Sequence, residues 1–178
     1  MRIIGGSLRG LRLNPPKNLP VRPTTDMAKE ALFNILQNQI TIEGIRVLDL
    51  FSGTGNISME FASRGAAAVT AVDRSIQCVN FLKDVSRQHN LTPITVYKED
   101  VFKYLDFETE QYGLVFADPP YDLNKIPEIP KIIFQKNLLI QGGLLIVEHQ
   151  SLQNLSNNPS FVEQRAYGHS SFSFFRND

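Results

Sequence analysis

Asp49-Leu50-Phe51-Ser52-Gly53-Thr54-Gly55-Asn56 is the stretch that decides how this chain folds. The residues leading into it, Arg46-Val47-Leu48-Asp49-Leu50, form a short, mostly apolar run of strand length, and the two glycines after it permit a sharp turn into a helix. Working outward, apolar runs of the same length recur at Ala68-Val69-Thr70-Ala71-Val72, Ile94-Thr95-Val96-Tyr97, Gly113-Leu114-Val115-Phe116-Ala117 and Leu144-Leu145-Ile146-Val147. Helical spacing fills the intervals, most clearly from Ser75 to Gln88, where Ile76, Val79, Phe81, Leu82 and Val85 form the apolar set. Strands buried on both faces and separated by helices predict an α/β chain with a parallel sheet of βαβ units. Phe161 to Tyr167 and Ser171 to Phe175 are strand-like runs around Gly168-His169, expected as an antiparallel pair closing the sheet edge.

At 178 residues, with 42% hydrophobic and 20% charged side chains, the chain matches one globular domain of ordinary size. A single cysteine, Cys78, excludes an internal disulfide framework and any cysteine-rich zinc site, which favours a reducing compartment. His89, His149 and His169 share no ligand-like spacing, so no metal is indicated. The Glu148-His149 pair at the end of the fifth strand reads either as pocket lining or as a satisfied structural pair. No apolar run is long enough for a signal peptide or a membrane span, and a cytoplasmic location with no membrane partner is expected.

Net charge is zero, but it is unevenly placed. Residues 1–25 hold Arg2, Arg9, Arg12, Lys17 and Arg22 and no acid, leaving 13 basic against 18 acidic residues elsewhere. An electropositive head on an acidic body suits phosphate contacts confined to that segment; a solvated basic arm without a ligand fits equally well. Within the head, Arg2-Ile3-Ile4 and Leu11-Arg12-Leu13 read as a β-hairpin turned by Gly5, Gly6 and Gly10. Pro15, Pro16, Pro20 and Pro23 then forbid regular structure until about Thr24. Residues 1–24 are therefore expected as a basic hairpin and extended linker, and 25–178 as the main domain. Thr25 is placed to cap a helix running to Gln37 with Ala28, Ala31, Leu32, Ile35 and Leu36 on one face, and Asp26 suits its positive end.

In an open α/β sheet the turn after the first strand is where a nucleotide-like ligand sits. The pattern here is G-x-G with Ser58 in place of the third glycine, which disfavours a dinucleotide pyrophosphate and favours a ligand without phosphate. A tight turn with no ligand is the plainer reading of G-x-G alone. Asp73 ends the second strand, 20 residues beyond Gly53, where a carboxylate accepts both ribose hydroxyls. Asp100 follows the third strand; it reads either as a helix cap or as an acceptor for an adenine amino group, with the Val101 N–H meeting a ring nitrogen. Asp49 is placed to hold a ligand ammonium. Acids at three strand ends around a glycine turn describe a pocket for adenosine carrying an amino-acid tail, which is S-adenosylmethionine. Phe51, Gly53, Gly55 and Arg74 complete the expected cofactor set.

Ala117-Asp118-Pro119-Pro120-Tyr121 lies at the end of the fourth strand. An exocyclic amine on a base is a poor nucleophile because its lone pair is delocalised into the ring. Two acceptors gripping its two hydrogens, the Asp118 carboxylate and the Pro119 carbonyl, pyramidalise the nitrogen, while Pro120 stiffens the loop and Tyr121 offers a stacking surface worth ~1–3 kcal/mol. A rigid loop with Tyr121 packed as core is the alternative.

The chain resembles the bacterial 16S ribosomal RNA guanine-N2 methyltransferase family RsmD along nearly its whole length. The resemblance rests on Met1-Arg2-Ile3-Ile4-Gly5-Gly6 with Arg9-Gly10, and on Arg22-Pro23-Thr24-Thr25-Asp26 leading into Lys29-Glu30-Ala31-Leu32-Phe33-Asn34-Ile35-Leu36. It continues through Val47 to Gly55, Ser63-Arg64-Gly65-Ala66 and Asp118-Pro119-Pro120-Tyr121. The glycine turn and D-P-P-Y are shared by many methyltransferases, whereas the arginine-rich head and R-P-T-x-D are more discriminating. Met27-Ala28 stands where the family usually has an arginine, and Asp73-Arg74 where glutamate is commoner. The resemblance implies a Rossmann-like class I fold with a seven-stranded sheet, and methyl transfer to N2 of a guanine in 16S ribosomal RNA. It also implies a substrate within an assembled or partly assembled 30S particle, and a monomeric enzyme is expected. Adenine-N6 methylation of RNA or DNA, and a non-catalytic RNA-binding assembly factor, are the competing readings.

Overall fold

A computed structural model describes residues 1–19 and 24–178. The helices are α1 (Asp26–Leu36), α2 (Asn56–Ser63), α3 (Ile76–Gln88), α4 (Val101–Phe107) and α5 (Glu128–Gln135); the strands are β1 (Arg46–Leu50), β2 (Ala68–Asp73), β3 (Ile94–Lys98), β4 (Tyr112–Ala117), β5 (Leu139–Gln150), β6 (Phe161–Tyr167) and β7 (Ser170–Arg176). They form one seven-stranded sheet in the order β3-β2-β1-β4-β5-β7-β6. β1 to β5 are mutually parallel, and β7 runs antiparallel to both β5 and β6. The architecture is the expected Rossmann-like α/β sheet with an antiparallel C-terminal hairpin. Within that hairpin β7, the later strand, inserts between β5 and β6 and leaves β6 as the edge. Burial explains the choice, since Ser171 to Phe175 are all buried whereas β6 exposes Val162, Arg165 and Ala166.

The chain passes from β1 outward to β2 and β3, then returns to β4 on the other side of β1. That reversal puts a topological switch point between β1 and β4, where the carboxyl ends of the two strands open a crevice. Side chains alternate across the sheet and so divide the core in two. Val47 faces Leu32, Phe33, Phe61 and Leu82 of α1, α2 and α3, while Leu48 and Leu50 face Val101, Leu105, Ile129 and Ile133 of α4 and α5.

Helix ends follow their caps. Thr25 Oγ1 accepts the Ala28 N–H (3.2 Å), and Ser75 caps α3 through Cys78 N–H (3.4 Å). β5 is longer than its apolar run suggests. Residues 139–143 join it through a register shift opposite Tyr112–Leu114, with Gly142 at φ 75°.

The head pairs as expected of a hairpin, but among the described residues through one antiparallel bridge, between Arg2 and Arg12. Ile3 N–H to Leu11 O (2.9 Å) and Leu13 N–H to Met1 O (2.9 Å) flank it. The head lies on the end of α2: Ser7 N–H donates to Ser63 O (2.8 Å) and Leu8 N–H to Ser63 Oγ (3.0 Å). Gly6 permits this contact, because a Cβ there would stand 1.8 Å from Ser63 O. Ile3 and Leu13 are buried in the same core as α1 and α2.

Candidate active site

Asp49 and Leu50 end β1, and the turn beyond them is conformationally unusual. Phe51 adopts φ 60°, Gly53 φ 53° and Gly55 φ 80°. A left-handed phenylalanine is rare enough to indicate a site held by its surroundings. At Gly55 the left-handed φ favours glycine, and a Cβ there would also meet the Leu82 side chain of α3 at 2.3 Å. Ser52 Oγ is buried with no hydrogen-bond partner among the described residues, a cost that a polar ligand group would remove.

Alternation turns Asp49 toward α2, where Ser58 donates a hydrogen bond to its carboxylate. Ser58, which fills the slot of the third glycine, is thus a site residue that sequence reading treated only as a missing glycine. Burial, with the charge of Asp73 nearby, pushes the Asp49 carboxyl up to about 7 against the opposing Ser58 hydrogen bond. Asp73 at the end of β2 accepts Gly53 N–H and Ser75 N–H, both at 2.8 Å. Its carboxylate therefore ties the glycine turn to the start of α3. Arg74 beside it is exposed. Asp100 caps α4: its Oδ1 accepts Phe102 N–H (3.0 Å) and Lys103 N–H (3.1 Å). Val101 is buried, and Phe51 lies edge-on to Phe102 with ring centroids 6.4 Å apart.

The D-P-P-Y loop adjoins the glycine turn. Leu50 pairs with Ala117 in register, and Asp118 N–H donates to Leu50 O at 3.2 Å. Asp118 has a carboxyl raised well above the usual range, first by burial, then by the negative charges of Glu148 and Asp49. Pro119 is buried and Pro120 exposed. The Tyr121 hydroxyl hydrogen-bonds Ser170 Oγ at the start of β7, which fixes the ring beside the β6–β7 turn.

Glu148 and His149 separate. His149 is fully buried, with Nδ1 on Gln150 O (2.8 Å) and Nε2 on Ser173 Oγ (2.7 Å), and burial lowers its basicity. Glu148 instead faces the D-P-P-Y loop and accepts a hydrogen bond from Thr24 Oγ1 at 3.1 Å. Thr24 is a second site residue that local sequence did not reveal, because its partner is 124 positions away.

Of the basic residues expected to touch RNA, Arg2, Arg9, Arg12 and Lys17 are exposed, and Arg22 lies outside the described residues. Arg2 and Arg12, opposed across the bridge, line one open depression with Met1, Asn14 and Asp26, and Arg2 pairs with Asp26 at 3.7 Å. Met27, where the family usually has an arginine, is exposed.

Residues 1–176 match the family model described as Conserved hypothetical protein 95. The chain is 30% identical over 167 residues to the ribosomal RNA small subunit methyltransferase D of Escherichia coli, covering 90% of this chain and 80% of that one. A solved structure of a hypothetical protein from Thermus thermophilus superposes with a TM-score of 0.86 at 27% identity, covering 99% of both chains. The 16S rRNA N2 G1207 methyltransferase RsmC of Thermus thermophilus, solved with AdoMet and guanosine, shares the fold, with a TM-score of 0.70 at 19% identity over 90% of this chain and 45% of that one. The chain belongs to the RsmD family of ribosomal RNA small subunit methyltransferases.

Proposed function

We propose that this chain transfers the methyl group of S-adenosylmethionine to N2 of a guanine in 16S ribosomal RNA. The observation that carries the reading is the abutment of two loops: Asp118 is hydrogen-bonded to the backbone of Leu50, so the amine-gripping loop stands against the glycine turn. Family membership supports ribosomal RNA as the substrate.

The residues present fit the cofactor. The Ser52 hydroxyl, buried without a hydrogen-bond partner among the described residues, the buried Asp49 carboxyl and the positive φ of Phe51, Gly53 and Gly55 describe a cradle for a polar ligand. Asp49 would hold the ammonium, Asp73 the ribose hydroxyls, and Asp100 with the Val101 N–H the adenine edge; Phe51, Gly53, Gly55 and Arg74 would border it. When bound, the cofactor supplies an electrophilic methyl carbon on a positively charged sulfur. Because that carbon is already activated, the reading takes no metal.

The protein's own work is positioning. Asp118 and the Pro119 carbonyl accept the two amine hydrogens and turn the nitrogen lone pair outward. Pro120 keeps this loop stiff, and Tyr121, anchored by Ser170, stacks on the extruded base. Arg2, Arg9, Arg12, Lys17 and Arg22 contact phosphates and orient the RNA. The enzyme acts as a monomer in the cytoplasm, on an assembled or partly assembled 30S particle, with residues 1–24 as a docking arm on the 25–178 methyltransferase domain.

Labelled methyl transfer to purified 30S particles and to naked 16S RNA, followed by nucleoside analysis, tests this reading. N2-methylguanosine is expected, with particles the better substrate. Label in N6-methyladenosine would replace guanine with adenine, and no label in either substrate would refute catalysis.

A further inference from the structure

We propose that Thr24 is a positioning residue for the methyl transfer: its hydroxyl joins the carboxyl groups of Glu148 and Asp118 and so fixes the acceptor that grips the amine.

The sheet makes the pair. Ala117 and Val147 are register partners on the parallel strands β4 and β5, so Asp118, just past the end of β4, stands beside Glu148, which is still within β5. Thr24 Oγ1 donates to Glu148 Oε2 at 3.1 Å, and the same hydroxyl is among the groups that bear on the Asp118 carboxyl. A hydroxyl has one proton, which it can turn to either carboxyl group, and it favours the ionised form of whichever one it faces. Two adjacent threonines thus divide two tasks, since Thr25 caps α1 while Thr24 is buried in the site.

The hydroxyl is itself held in place. Asn56 Nδ2 donates to Thr24 O (3.1 Å), and Lys29 Nζ donates to Asn56 Oδ1 (2.8 Å) and to Arg2 O (2.5 Å). Lys29 is also paired with Glu60 at 3.3 Å, both side chains fully buried. The threonine therefore sits at the inner end of a buried polar chain that begins in the basic head.

The groups that bear on Asp118 are Glu148 from β5, Asp49 from β1 and the Thr24 hydroxyl; Asp73 on β2 acts on Asp49, and Tyr121 lies on the same loop as Asp118. Thr24 opposes the other influences by favouring the ionised carboxylate. Removing its hydroxyl should then move the Asp118 titration further up, and removing the Glu148 charge should move it down.

The test is carbon-13 titration of the side-chain carboxyl groups in the full chain, alongside the pH dependence of kcat for methyl transfer. In Thr24→Val the Asp118 midpoint and the acid limb of kcat are expected to rise together by about one pH unit, with cofactor affinity unchanged. Thr24→Ser should restore both, and Glu148→Gln should lower the midpoint. A Thr24→Val profile coincident with the wild type, or a Thr24→Ser variant as displaced as the valine, would overturn the proposal. If the valine variant does not fold, an unmoved midpoint in Glu148→Gln overturns it. The kinetic half rests on the methyl-transfer reading, whereas the titration needs neither cofactor nor RNA. A wild-type protein that transfers no methyl would refute that reading and leave the titration to judge the coupling.

Discussion

Asp49 is a carboxyl group taken out of water one residue before its strand ends, with the Ser58 hydroxyl donating to it. Held at about 7, it is close to half neutral at neutral pH. A ligand ammonium favours the ionised form, so S-adenosylmethionine affinity should rise up to about tenfold per pH unit toward pH 7 and level off above it, by calorimetry. Asp49→Asn should bind weakly with no such slope. The sign for stability is opposite: the folded-state value lies above that of the unfolded chain, so stability is lost as pH rises from about 4 to about 7. Asp49→Asn should therefore melt higher than the ligand-free wild type, by a margin that widens over that interval and is constant above it. A margin independent of pH would contradict an Asp49 that titrates near neutrality. The acids at strand ends were legible in sequence because a strand's last residue and its facing follow from period-two alternation. Ser58, Thr24 and Glu148 were not, because their roles depend on which distant elements meet.

At the scale of elements, α1, α2 and the head are joined through Lys29. Its ammonium serves Glu60, Asn56 and the Arg2 carbonyl, while Glu60 also receives Ile4 N–H (3.0 Å) and Arg64 Nε (2.9 Å). Arg64 in turn lies 4.4 Å over the Phe33 ring. Burial lowers the basicity of Lys29, and Glu60 opposes that shift. Such a unit is costly to break on one side, because the remaining charge stays buried. Lys29→Met should lose about 3–5 kcal/mol in denaturant unfolding, and much of that should return when Glu60 is also made apolar. A loss below about 1 kcal/mol would mean that water or rearrangement already satisfies Glu60. The elements themselves were largely readable: β1 spans the expected residues and α1 begins one residue after its cap. β5 was underread because Gly142-Gly143 interrupts its apolar pattern, and the β7 insertion depends on comparing the burial of two strands after the sheet exists. The hairpin of the head was legible from its glycines and apolar runs, whereas its hydrogen bonds to Ser63 and Glu60 depend on where it lands on α2.

At the scale of the whole molecule, charge is segregated while the net is zero, with Arg2, Arg9 and Arg12 exposed on a head that carries no acid. If these contact phosphate, replacing Arg9 and Arg12 with alanine should reduce the slope of log affinity against log salt by about 1–2 for 16S RNA, without altering S-adenosylmethionine binding. An unchanged slope would assign the head a purely structural task. The same separation of tasks applies to the crevice between β1 and β4, where the glycine turn serves the cofactor and the D-P-P-Y loop serves the amine. Asp118→Ala tests that division most directly, with cofactor affinity measured by calorimetry and single-turnover methyl transfer to 30S particles measured on the same preparation. Transfer is expected to fall by about 100-fold or more while affinity changes by less than about threefold. Transfer that survives the substitution, or a collapse of cofactor affinity alongside it, would show that the two loops do not divide their tasks in this way.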